Sequence, residues 1–342
     1  MSPIGKQKIE RLIASAANHL GFIAGYSFFR ALNQPQVAIL MYHSVGTQEN
    51  LGTVPIIRPH DFEDQIAYLC RWFEIMPFDK LVQCVQSKGG LPKRAAVITF
   101  DDGYKDIYLY AYPILKRYNV PATIFLTTGH IGTANPFWWD KVGYIIKNTK
   151  QATFELDELG AYSLRSNGSR LKTISRIVEG LKKVEDEKKE LLIERLMTTL
   201  GMQLPANLGK ELILSWDDVR EMNDGDIAFG AHSITHPILT KLSLKQAEYE
   251  IVQSKKDIEE KLNRVVTAFS YPNGQFSDFN SQIKKILKKS SFTCAFTTIP
   301  RMITPGIDLY ELPRIDPGWD FNTFKVGLSG LYPDLGAILS RI

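Results

Sequence analysis

Six short apolar runs punctuate the chain, and each gives way to polar residues. They span residues 37–42, 95–100, 122–126, 227–231, 265–271 and 292–297. None alternates apolar with polar positions. Each therefore predicts a strand covered on both faces, as in a parallel sheet flanked by helices. Between several runs a helical period takes over. The clearest case is 244–262, where Leu244, Ala247, Ile251, Ile258 and Leu262 share one face. Ser243 followed by Gln246 forms a capping box at its start. Strands alternating with helices over this length predict an α/β fold, either a barrel or a doubly wound sheet.

The rhythm breaks between about 136 and 215. This stretch is rich in Lys and Glu, and its pattern predicts helices over 173–181 and 185–200. It reads as a helical insertion between two core strands. Asn167-Gly168-Ser169 reads as a turn; it also matches a glycosylation sequon, which is discounted because nothing else points to secretion. Residues 12–29 carry no charged side chain and follow Lys6, Lys8 and Arg11. Asn18 and His19 interrupt them, so the apolar length a membrane span needs is lacking. No small-x-small cleavage site follows. An amphipathic helical segment over 1–34 is the expectation. Phe22, Ile23, Phe28 and Phe29 either pack on the domain or rest peripherally on a membrane surface.

Composition narrows the class. The 342 residues are 44% hydrophobic and 23% charged, ordinary for a globular protein and incompatible with a disordered or fibrous one. The 41 basic and 37 acidic residues leave a net charge of +4, well short of a nucleic-acid binder. Three cysteines without a CxxC pair argue against a disulfide framework and for a reducing compartment.

Two clusters carry chemistry. Asp101 and Asp102 end the apolar run 95–100, at the edge where a parallel barrel builds its active face. Adjacent carboxylates repel, so a cation or a proton is expected between them; the alternative is an Asp-Asp-Gly turn capping the next helix. His232 and His236 follow the run 227–231. Imidazoles four residues apart meet one ion if the backbone turns helically between them; the alternative is an ordinary pair of loop histidines. One Asp and two His make a three-ligand site with an open position, suited to Zn²⁺ and compatible with Co²⁺, Ni²⁺ or Fe²⁺. A metal there would lower the pKa of water toward about 7 and polarise a carbonyl, with the other Asp as general base. The pattern predicts amide or ester hydrolysis.

These clusters resemble the polysaccharide deacetylases, carbohydrate esterase family 4, the NodB-homology domain. Thr99-Phe100-Asp101-Asp102-Gly103 is similar to that family's first motif and His232-Ser233-x-x-His236-Pro237 to its second. The stretches 39–45, 137–140, 214–216, 271–274 and 312–315 are similar as well, so the resemblance covers roughly 20–318. It implies a deformed (β/α)₇-type barrel over 35–318, with a tail over 319–342 packing on it. It also implies metal-dependent removal of N-acetyl groups from acetylated amino sugars of a polysaccharide, oligosaccharide or glycan precursor. An O-acetyl esterase on the same scaffold and a silent glycan-binding domain are the competing readings.

Carried over by motif, the resemblance makes Asp101 the catalytic base and Asp102, His232 and His236 the metal ligands. The family's Arg-x-Pro-Tyr motif is matched here by Ser270-Tyr271-Pro272-Asn273. The backbone N–H of Asn273 then serves the oxyanion, while the Arg that orients the base is missing. Arg314 is the candidate replacement, against a surface or helix-facing alternative. The family's late Leu-x-His is matched by Leu312-Pro313-Arg314, so its general acid is missing too. His43, at the end of the first run, is the candidate acid. His130 is its rival, with His19 and His60 placed in the N-terminal helix and a loop start. Trp138, Trp139, Tyr104 and Trp319 are candidates for stacking on sugar rings, with core packing as the alternative. Lacking a clear export signal, the chain is expected in the cytoplasm, acting on a surface-glycan precursor. Oligomeric state is unreadable.

Overall fold

The computed structural model describes residues 35–47, 51, 53–87, 90–156, 160–318 and 320–329. The expectations for 1–34, for Trp319 and for the tail beyond 329 lie outside the described residues. In chain order the strands are β1 Gln36–Tyr42, β2 Ser44–Val45, β3 Ile56–Ile57, β4 Glu74–Ile75, β5 Arg94–Phe100, β6 Ala122–Leu126, β7 Thr153–Leu156, β8 Gly160–Ser163, β9 Ile227–Ala231, β10 Ala268–Ser270 and β11 Cys294–Phe296. All six apolar runs become strands of one parallel sheet, ordered β1-β5-β6-β9-β10-β11. β1 pairs with β5 along its whole length, and β4 and β6 share the other edge of β5.

The sheet closes on itself through Leu312–Ile315, a stretch too irregular to register as a strand. Leu312 bridges Phe296 of β11, and Ile315 bridges Leu40 of β1. The result is a ring of six strands and one closing segment, the deformed seven-membered barrel expected. Its two-sided burial explains the uninterrupted apolar runs. Along β1, Ala38, Leu40 and Tyr42 face outward onto a core that includes Phe62, Ile66 and Leu69 of the helix Pro59–Trp72. Val37 and Ile39 face inward among Phe125, Ala268 and Phe296. Successive side chains of a strand point to opposite faces, so both must be apolar.

The predicted helix appears as Leu244–Leu262, with the Ser243–Gln246 capping box formed. Between β6 and β9, neighbours in the sheet, lie the helices Trp138–Asn148, Asn167–Leu181, Asp186–Leu200, Leu208–Leu212 and Trp216–Asp224 and the antiparallel hairpin β7-β8. The turn read at Asn167-Gly168-Ser169 is instead the first turn of a helix. Ser166 caps it by accepting from the Ser169 amide, satisfying one of the donors a helix start leaves open. His60 likewise sits in the helix Pro59–Trp72 rather than a loop. Of the C-terminal stretch, Phe321–Ser329 is a helix that sets Phe321 and Phe324 against Tyr68. Among the described residues no helix is long and apolar enough to cross a membrane.

Gly230 of β9 shows how tightly the interior is filled. A Cβ there would come within 2.5 Å of the Phe125 ring and 3.0 Å of the Ala268 carbonyl oxygen. Gly230→Val is expected to lower stability by about 1–3 kcal/mol through overpacking, read as a lower urea midpoint at unchanged slope. An unshifted midpoint would contradict this packing.

Candidate active site

Asp101 leaves the end of β5 with its amide donating to the Tyr42 carbonyl. Asp102 follows in the left-handed region at φ 72°, and Gly103 at φ 88°. This reversal separates the surroundings of two carboxylates that neighbour each other in sequence. Asp101 receives a two-pronged ion pair from Arg314, Nη1 to Oδ1 at 2.7 Å and Nη2 to Oδ2 at 2.6 Å. Arg314 is fully buried and is held in turn by the Thr297 carbonyl and the Ser270 hydroxyl. Burial pushes the Asp101 carboxyl up, but Arg314 and His232 outweigh it and hold the group well below the usual carboxylate range.

Asp102 has a different partner set. Its Oδ1 lies 3.5 Å from His232 Nε2 and 3.5 Å from His236 Nε2, and it is a buried oxygen with no hydrogen bond. One ligand atom from each residue can be chosen so that all lie within 4.8 Å of one another. Two atoms each about 2.1 Å from a shared tetrahedral ion stand roughly 3.4 Å apart, so these spacings fit a divalent cation. An unpartnered buried carboxylate oxygen beside two imidazole nitrogens is costly unless such a cation or a proton engages it.

The histidines meet without the helical turn that their spacing suggested. Residues 232–236 form a loop in which Ser233 and His236 are left-handed, at φ 65° and 61°. Two contacts fix it. The Glu250 carboxylate accepts from the amides of Ile234 and Thr235, and Ser233 Oγ accepts from the His236 amide. His232 Nδ1 sits 2.7 Å from the Ser270 carbonyl, which draws the ring proton there and leaves Nε2 as a lone pair beside Asp102. Burial pushes His236 down to about 3, so it stays neutral, the form that binds metal.

A cavity of about 210 Å³ opens over these groups. His43, Asp101, Asp102, His232, His236 and Asn273 line it together. Asn273 is left-handed at φ 61°, and its side chain is drawn to Asp278 at 2.6 Å. His130 is not part of that lining. Its ring packs 4.4 Å from that of Phe137, and its Nδ1 meets the Asn135 carbonyl. Trp138 and Trp139 line the cavity, with Trp139 4.7 Å from the His236 ring. Tyr104 is buried, accepting from Trp139 Nε1 at 2.7 Å and donating to Asp140 at 3.1 Å. Ser270 escaped sequence reasoning as a functional side chain. It occupies the position of the missing motif Arg and touches both Asp101 and the Arg314 that contacts it. Thr53, Val54 and Pro55 were missed too, because nothing local ties a loop after β2 to this cavity.

The arrangement offers a clamped carboxylate, a cation site and an imidazole around one chamber, which is equipment for hydrolysis. Comparison with known proteins agrees. A family model described as polysaccharide deacetylase matches residues 88–295. The chain is 25% identical over 263 residues to the poly-beta-1,6-N-acetyl-D-glucosamine N-deacetylase of Staphylococcus epidermidis, covering 76% of this chain and 67% of that protein. In fold it is similar to the Streptococcus pyogenes deacetylase PplD in complex with acetate, with TM-score 0.59, 19% identity, and coverage of 87% of this chain and 99% of that one. It is similar also to IcaB from Ammonifex degensii, with TM-score 0.57, 16% identity, and coverage of 86% and 97%.

Proposed function

Because this chain belongs to the polysaccharide deacetylase family, we propose that it hydrolyses N-acetyl groups of amino sugars with one divalent metal ion, Zn²⁺ by its donor set. The observation that carries this reading is the unpartnered Asp102 oxygen between two imidazoles, in the same cavity as a carboxylate clamped by Arg314. Asp102, His232 and His236 hold the ion. When bound it supplies Lewis acidity to the acetamide oxygen and acidity to water.

The chain's own groups do the rest. Asp101, kept proton-free by Arg314, accepts the proton of the attacking water at a carboxylate oxygen. Arg314 and Ser270 fix the direction of that carboxylate. The backbone N–H of Asn273 donates to the oxygen that becomes negative as water adds to the carbonyl. His43 protonates the departing nitrogen as the carbon–nitrogen bond breaks. One water and one acetamide become acetate and a free amine. The Staphylococcus epidermidis relative, by its name, removes the same group from a glucosamine polymer, which supports an N-acetyl substrate.

Free-amine release from an N-acetylated glucosamine oligosaccharide, set beside acetate release from an O-acetylated one, tests the reading. Turnover of the ester alone would replace it with an esterase. The assignment of His43 has its own test. His43→Ala is expected to keep its metal, to lose about 10²-fold or more in kcat, and to lose the basic limb of the pH–rate profile. That loss appearing in His130→Ala instead would move the acid to His130.

A further inference from the structure

The two imidazoles of the cation site are steadied in unlike ways. His232 is fixed through its Nδ1 by the Ser270 carbonyl at 2.7 Å, the kind of outer hydrogen bond that orients most metal-binding histidines. His236 meets its own backbone. Beyond that, its ring leans on aromatic ones, 4.7 Å from Trp139 at 71° and 6.3 Å from Phe137 at 72°. A ring contact is a wall rather than a bond, so what fixes the wall matters. Trp139 Nε1 donates to the Tyr104 hydroxyl at 2.7 Å, Tyr104 donates to Asp140 Oδ2 at 3.1 Å, and Thr53 donates to Asp140 Oδ1 at 2.8 Å. The direction of this chain is forced. An indole N–H can only donate, so Tyr104 must turn a lone pair toward it and its proton elsewhere. Asp140, 2% exposed, is where that proton goes. Burial pushes its carboxyl up to about 7, a cost that an apolar residue in its place would not carry. The helix Trp138–Asn148, which carries both Trp139 and Asp140, is also seated closely on the segment of Thr53. A Cβ at Gly143 would fall 2.6 Å from Leu51 and 3.0 Å from Thr53.

We propose that Asp140 is a positioning residue for the metal centre: by accepting the Tyr104 proton it fixes the Trp139 ring beside His236, and so holds that imidazole ready for the ion. This deepens the deacetylase reading and rests on its metal site of Asp102, His232 and His236. Neither Asp140 nor Tyr104 lines the cavity, so neither acts on substrate directly. Thr53 and Trp139 both line it, and the one carboxylate ties the two walls together.

The readout is Zn²⁺ affinity of the full chain, measured by competition with a fluorescent chelator, beside thermal melting of the metal-free protein. Asp140→Leu and Tyr104→Phe are each expected to weaken Zn²⁺ binding about 10–100-fold, the usual loss when the support behind a metal ligand is removed. Their metal-free forms are expected to melt cooperatively still. Asp140→Asn keeps an oxygen for the Tyr104 proton and is expected to bind nearly as the unsubstituted chain does. Joining the Leu and Phe changes should cost little more than either alone, since both break one chain of bonds. If Asp140→Leu fails to fold, Tyr104→Phe is read in the same way. Unchanged Zn²⁺ affinity in the Leu and Phe variants overturns the proposal, and so does an Asn variant as weak as the Leu one. A raised KM at unchanged affinity also overturns it, by making the network a prop for the substrate walls alone. Amine release from an N-acetylated glucosamine oligosaccharide judges the parent reading separately. An unsubstituted chain that binds Zn²⁺ but releases no amine sinks the deacetylase and leaves the support of His236 standing, whereas one that binds no Zn²⁺ sinks both.

Discussion

Asp101→Asn is expected to bind its metal as the unsubstituted protein does and to turn over about 10²–10⁴-fold more slowly, the usual contribution of a general base. At about 1.36 kcal/mol per decade, this is roughly 3–5 kcal/mol of barrier. The expectation comes from the division of labour between neighbours. Asp101 is paired with Arg314 and touches neither imidazole through a hydrogen bond, whereas Asp102 carries the oxygen that the two histidines surround. An amide in place of the carboxylate keeps the shape and removes the proton acceptor. It also leaves the buried Arg314 charge with a weaker partner, so thermal melting belongs beside the kinetics. Arg314→Met is the harsher change, since an uncompensated buried carboxylate costs about 3–5 kcal/mol. Metal lost from Asp101→Asn but kept in Asp102→Asn would reverse the two roles.

Removing any one of Asp102, His232 or His236 is expected to abolish both stoichiometric metal and activity. Elemental analysis of the unsubstituted protein should give about one transition-metal ion per chain, and each Ala variant a small fraction of that. Linkage supplies a second readout. An ion present at about 100 times its Kd stabilises the folded state by about 2.7 kcal/mol, so a chelator should lower the melting temperature of the unsubstituted chain and leave the Ala variants where they are. Equal metal in all four proteins would dismiss the site, whatever happened to activity.

The parts of this architecture that were legible in sequence are those written locally. A strand buried on both faces must be continuously apolar, so residues 95–100 and 227–231 announced themselves, and the acids and histidines directly after them marked one end of the sheet. The Ser243 capping box was equally readable, because its two partners are three residues apart. What was hidden depends on distance in the chain. Nothing near Arg314 says that it pairs with a carboxylate 213 residues earlier; only its place in the ring does. The hairpin β7-β8 escaped because its strands are short and half exposed, with little apolar content to signal them. The loop carrying His232 and His236 was misjudged in geometry. A spacing of four fits a helix, yet the Glu250 carboxylate, on another helix, selects a different path.

Leu312–Ile315 both shuts the ring and delivers the guanidinium. Closing the ring and clamping Asp101 are consequently done by the same four residues. The first 300 residues of this sequence already contain both aspartates, both histidines of the candidate metal site and every strand among the described residues. Yet β1 and β11 still present open edges, and Asp101 would be buried as a bare charge. Only with Leu312–Ile315 seated between the two edges does that carboxylate gain its guanidinium partner. A chain whose ring has not closed therefore lacks the clamp on Asp101.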